Sequence, residues 1–78
     1  MMQTHNTYKT SDLYLSAFLM AKGLKLVDKS RNGHKFIFFF DDREDRKELI
    51  QEFFNGGLVN VTAFRGALQD LKTMVFNA

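Results

Sequence analysis

A chain of 78 residues has room for one small domain, and a domain of that size buries only ~60% of the surface its unfolded chain exposes. Hydrophobic residues make up 45% of it, nine of them Phe, which is enough for a core and excludes disorder as the default. Cysteine is absent, excluding a disulfide framework, a cysteine zinc site and a thiol nucleophile. A net charge of +2 is too mild to name a partner.

Residues 1–9 are polar and aperiodic and read as a flexible N-terminal tail, followed by a single domain over residues 10–76. Thr10 or Ser11 is placed to cap a first helix, with Asp12 in its first turn and Gly23 at its end. That helix is apolar nearly all round, so it is expected at the centre of the fold, buried on more than one side. Its apolar run is too short to cross a bilayer, which takes ~20 residues. As a secretory leader it has Lys9 upstream, but Asp12 borders it and cleavage would remove the best helix. The expectation is a cytoplasmic protein with no membrane partner.

Residues 24–31, Asn32-Gly33 and residues 34–41 form the strongest local signal, a β-hairpin around an Asn-Gly turn. Taking Asn32 and Gly33 as the central pair sets Arg31 opposite His34, Lys29 opposite Phe36, Val27 opposite Phe38 and Lys25 opposite Phe40. Those eight side chains share one face. Leu24, Leu26, Asp28, Ser30, Lys35, Ile37, Phe39 and Asp41 share the other. Asp42 is placed to cap a second helix, with Glu44 and Asp45 in its first turn, an inward stripe of Leu49, Ile50, Phe53 and Phe54, and Gly56-Gly57 at its end. Leu58-Val59 is short but has the composition of a third, edge strand. Asn60 caps a last helix with a stripe of Phe64, Leu68, Leu71 and Val75, flanked by Ala67 and Met74. Gly66 inside it costs ~1 kcal/mol relative to Ala, which points to a close approach by a neighbouring helix. The fold class is α+β: a hairpin packed with three helices in the order α-β-β-α-(β)-α.

Chemistry-bearing constellations are sparse. Asp41, Asp42 and Asp45 supply the carboxylates a metal-dependent hydrolase needs, but without calcium-loop spacing and with Arg43 and Arg46 interleaved. Capping and dipole complementarity already explain them. His5 and His34 have no second ligand at metal spacing, the serines have no nearby base, and Gly56-Gly57 lacks phosphate-loop context. The expectation is a protein that is not an enzyme, with no catalytic, metal or cofactor-binding residues and no cofactor or small-molecule ligand.

Charge is unevenly spread. Residues 22–35 carry +4 (Lys22, Lys25, Lys29, Arg31 and Lys35 against Asp28), and residues 36–60 carry −3. One hairpin face therefore combines cations with Phe36, Phe38 and Phe40, the ingredients of a single-stranded nucleic-acid platform. Three Phe at period two are also what a core strand shows, with the lysines snorkelling from its edge. In that case Leu24, Leu26, Ile37 and Phe39 are left for a second layer or a partner. A two-stranded ribbon is unstable alone, and an open apolar face on it invites pairing. The sequence thus supports a small non-catalytic interaction protein that self-associates as a homodimer through Leu24, Leu26, Ile37 and Phe39. The alternative is a nucleic-acid-binding protein using Lys25, Lys29, Arg31, His34 and Lys35.

Across residues 10–28, the NGHKFIFFFD hairpin segment, EFFNGGLVN at 52–60 and LQDLK at 68–72, the chain resembles a family of short prokaryotic proteins catalogued as a domain of unknown function. The resemblance covers nearly all of residues 10–75. It departs at Val61, where the family pattern favours a proline opening the last helix, which loosens that start. The resemblance implies a compact α+β domain and assigns no functional residues.

Overall fold

The computed structural model describes residues 6–76. Three strands, β1 (Thr7–Thr10), β2 (Leu26–Asn32) and β3 (Lys35–Asp41), form an antiparallel sheet in the order β1-β3-β2. Helices α1 (Leu13–Ala21), α2 (Arg46–Phe54) and α3 (Val61–Phe76) complete the α+β domain. The central strand is β3, the most apolar of the three.

The last three residues of the expected tail, together with Thr10, form a strand instead. Thr7–Thr10 pairs with β3, Tyr8 opposite Phe40 and Thr10 opposite Phe38. Residues 1–5 of the expected tail lie outside the described residues. Tyr8 and Thr10, with strand-favouring side chains, alternate with the more exposed Thr7 and Lys9, and this is the strand signal within an otherwise polar stretch. The third strand thus comes from the N-terminus, and Leu58-Val59 lies in the loop between α2 and α3.

α1 is the central helix. Its N-cap is Asp12 rather than Thr10 or Ser11: the Leu15 amide donates to Asp12 Oδ1 at 3.0 Å, while Thr10 Oγ1 accepts from the Asp12 amide. Five consecutive residues, Leu15, Ser16, Ala17, Phe18 and Leu19, are buried. Buried Ser16 satisfies its hydroxyl by donating to the Asp12 carbonyl at 2.8 Å. At the other end Gly23 takes φ +101°, and the amides of Gly23 and Leu24 donate back to Met20 and Leu19. This left-handed cap turns Leu24 inward, where it is buried.

The hairpin turn has Gly33 and His34 at its centre, not Asn32 and Gly33, since Asn32 pairs with Lys35. Only Gly33 has positive φ in the turn, the requirement at the first central position of a type II′ turn. The register is therefore Arg31 opposite Phe36 and Lys29 opposite Phe38. A slip of two preserves face parity, so Phe36, Phe38 and Phe40 still share a face. A bulge between Leu26 and Asp28 then places Leu26, not Lys25, opposite Phe40. The gain is physical: an apolar side chain occupies the core-facing position that a lysine would otherwise take.

Leu15, Ala17, Leu19, Leu24, Phe38, Phe40, Leu49, Ala67 and Leu71 form one core cluster. Tyr8, Leu26, Phe36, Phe64, Leu68, Met74 and Val75 pack around it. All three helices therefore cover the same sheet face. α2 starts later than expected, with Asp45 in the N-cap position and Asp42 engaged elsewhere. Phe54, expected inward, is 68% exposed and rests edge-on against Phe53. Gly66 has no close neighbour; a Cβ there would meet nothing within 4 Å.

Candidate interaction surface

Helices on one side leave the other side of the sheet open. Alternation along β3 points Lys35, Ile37, Phe39 and Asp41 that way. Pairing adds Thr7 and Lys9 from β1, and Asp28, Ser30 and Asn32 from β2. Lys25, whose carbonyl accepts from the Asp41 amide at 2.9 Å, flanks Asp41 on the same face. The bulge sets both Val27 and Asp28 against Phe39, and Val27 is 47% exposed. Ile37 and Phe39 are half-buried by their strand neighbours and, unlike Phe36, Phe38 and Phe40, take no part in the core. The result is an apolar stripe across the middle of the sheet with charges at its margins.

Of the four residues expected to mediate self-association, the structure brings together Ile37 and Phe39. It corrects the other two: Leu24 is 4% exposed and Leu26 packs on the core, the one turned by the α1 cap and the other by the bulge. Val27 and Lys9 join the surface in their place. Neither was legible, because the bulge and β1 each depend on pairing partners distant in sequence.

The basic candidates Lys25, Lys29, Arg31, His34 and Lys35 are all exposed, but Phe38 and Phe40 are buried beneath the helices and offer no stacking surface. Arg31 lies 5.6 Å over the Phe36 ring, and its Nε donates to the Gly33 carbonyl at 3.0 Å, bracing the turn. Lys29 and Arg31 stand on the edge strand β2. Together with the bulge they block edge-to-edge pairing. Beyond the end of β1, a shallow hollow of about 160 Å³ is lined by Lys9, Thr10, Ser11, Lys35 and Ile37.

The acidic run after β3 is tied up by arginines. Arg46 donates to both carboxylate oxygens of Asp42, at 3.1 and 3.2 Å, and lies 4.5 Å over the Tyr8 ring. It thus joins β1, the β3–α2 connection and α2. Arg43 grips Asp45 in the same bidentate manner at 2.9 Å. Among the described residues, no three His, Asp or Glu side chains are grouped to hold a metal ion.

The Arg46 hydrogen bonds hold the Asp42 carboxyl below its ordinary value, against the partial burial that works to raise it. A carboxyl lowered on folding stabilises the native state above its unfolded pKa of ~3.9 and loses that contribution as pH falls through the folded value. Asp42→Asn is therefore expected to melt below the wild type at neutral pH. The gap should narrow as pH falls below ~3.9, read by thermal melts across an acid series. A gap independent of pH would assign the loss to something other than the Asp42 charge.

These features define a small two-layer α+β domain with one sheet face left open. A family model described as Domain of unknown function (DUF5659) matches residues 5–77, and the chain belongs to that family, as the sequence resemblance implied. Neither the comparison with curated proteins nor that with solved structures finds a match. Among the described residues no helix is long and apolar enough to cross a membrane.

Proposed function

We propose that this protein is a non-catalytic interaction protein that self-associates through the open face of its sheet. The observation that carries the reading is the position of Ile37 and Phe39: central in the sheet, on the side away from every helix, and outside the core. Completing the burial of two half-buried side chains is worth about half of the ~1.5–3 kcal/mol that full burial gives each of them, and a two-fold interface counts each of them twice. The edges offer a second chain less, since β1 is only four residues long and β2 carries a bulge and cations.

Sedimentation equilibrium across protein concentration tests this. The wild type is expected to reach twice its 9.1 kDa chain mass, and Phe39→Ser to weaken association ~100-fold or more. Leu58→Ser, on the 86% exposed leucine of the α2–α3 connection, should associate like the wild type. A wild type that stays monomeric at millimolar concentration overturns the proposal. Association lost on Leu58→Ser and kept on Phe39→Ser would move the interface to that connection.

A further inference from the structure

Along β3 the open face carries a cation at one end and an acid at the other, with exposed Lys25 of the neighbouring segment beside the acid. The polarity of that central row constrains how a second copy docks. Resting on the self-association reading, we infer that two copies pair about a two-fold axis crossing β3 at right angles, each Lys35 meeting the partner's Asp41. Along β3 the outward side chains run Lys35, Ile37, Phe39, Asp41, a cation and an acid bracketing two apolar residues over ~20 Å of strand. The axis reverses one strand over the other. Ile37 then lies against Phe39 of the partner subunit, and an opposite-charge pair closes each end. One self-complementary patch serves both protomers, as a two-fold interface requires.

The competing two-fold axis runs along β3. It would superpose Lys35 on the partner's Lys35 and Asp41 on the partner's Asp41, two like-charge contacts that count against it. That axis does bring Lys9 over the partner's Asp28, but the Asp28 carboxylate already accepts the Lys29 amide at 2.8 Å. Lys35 and Asp41 are uncommitted by comparison. Both are exposed, and among the described residues neither takes part in an ion pair or a side-chain hydrogen bond.

Charge reversal at the two ends separates the axes. Lys35→Asp alone and Asp41→Lys alone each set like charges against each other twice across the proposed interface. Each is expected to weaken association ~10-fold at low salt, and less at ~1 M salt, where charges are screened. The double variant Lys35→Asp/Asp41→Lys restores both pairs and should associate within about threefold of the wild type. Along the competing axis each single variant only exchanges one like-charge contact for another, so its dissociation constant would not move. Unchanged single variants, with Phe39→Ser still disruptive, overturn this inference and leave self-association standing. A monomeric wild type overturns both. Single variants that fail to associate and are not restored in the double variant, with melting points unchanged, also overturn the ion pairing.

Discussion

Phe38→Ala is expected to cost about 3–5 kcal/mol of folding stability, while Phe39→Ala, one residue along the same strand, costs about 1 kcal/mol or less in the monomer. The difference is one of face. Phe38 is 1% exposed in the cluster formed with α1 and α3, and removing its ring opens a cavity that surrounding side chains fill only in part. Phe39 points away from the helices, where truncation gives its space to solvent. A domain of this length has roughly 4–12 kcal/mol to lose, so Phe38→Ala should remove about a quarter of it or more. Urea titration at two protein concentrations measures both effects. Stability of the wild type should rise with concentration, because association stabilises the folded state by mass action. Phe39→Ala should remove that dependence and Phe38→Ala should not reverse the order of the two variants. Equal losses at both positions would mean that both sheet faces are enclosed within one chain.

How much of this was legible in the sequence depended on the distance over which each element is determined. The alternation in β3 needs nothing beyond itself, so Phe36, Phe38 and Phe40 were placed on one face correctly even though the turn was centred one residue early. The α3 stripe of Phe64, Leu68 and Leu71 is equally local, as is its cap, where the Ala63 amide donates to Asn60 Oδ1 at 2.9 Å. The bulge at Val27 is not local. It accompanies Leu26 facing the core at the start of β2, two residues after Leu24 enters the core from the Gly23 cap. Pairwise alternation alone therefore put those two leucines on the wrong side. Likewise β1 is a four-residue strand held by the edge of β3 and by Arg46 over Tyr8, partners more than 25 residues away. For the surface, the sequence supplied Ile37 and Phe39, and only the pairing supplied Val27 and Lys9.

The same substitution at two glycines is expected to act with opposite signs. Gly57→Ala should destabilise by about 1–3 kcal/mol, since a Cβ there would lie 2.6 Å from Glu52 Cβ and 2.8 Å from the Glu52 carbonyl oxygen. Neither contact can yield cheaply. The Gly57 amide donates to that carbonyl at 2.6 Å, closing the cap that ends α2 while Gly56 takes φ +76°. Relief of the clash would pull the chain off the helix end and with it the approach to the Asn60 cap of α3. Gly66→Ala should stabilise by about 0.5–1 kcal/mol, because residue 66 sits in the interior of α3 with open space where the methyl would go. In a domain of this size ~1 kcal/mol moves Tm by about 4–8 °C, so the two melts should fall on either side of the wild type. A melting point for Gly66→Ala below the wild type would show that a neighbour does approach α3 at that position. The copy docked on the open sheet face lies on the other side of the domain from α3, so the approach would have to come from within the fold, and the melt should then not depend on protein concentration.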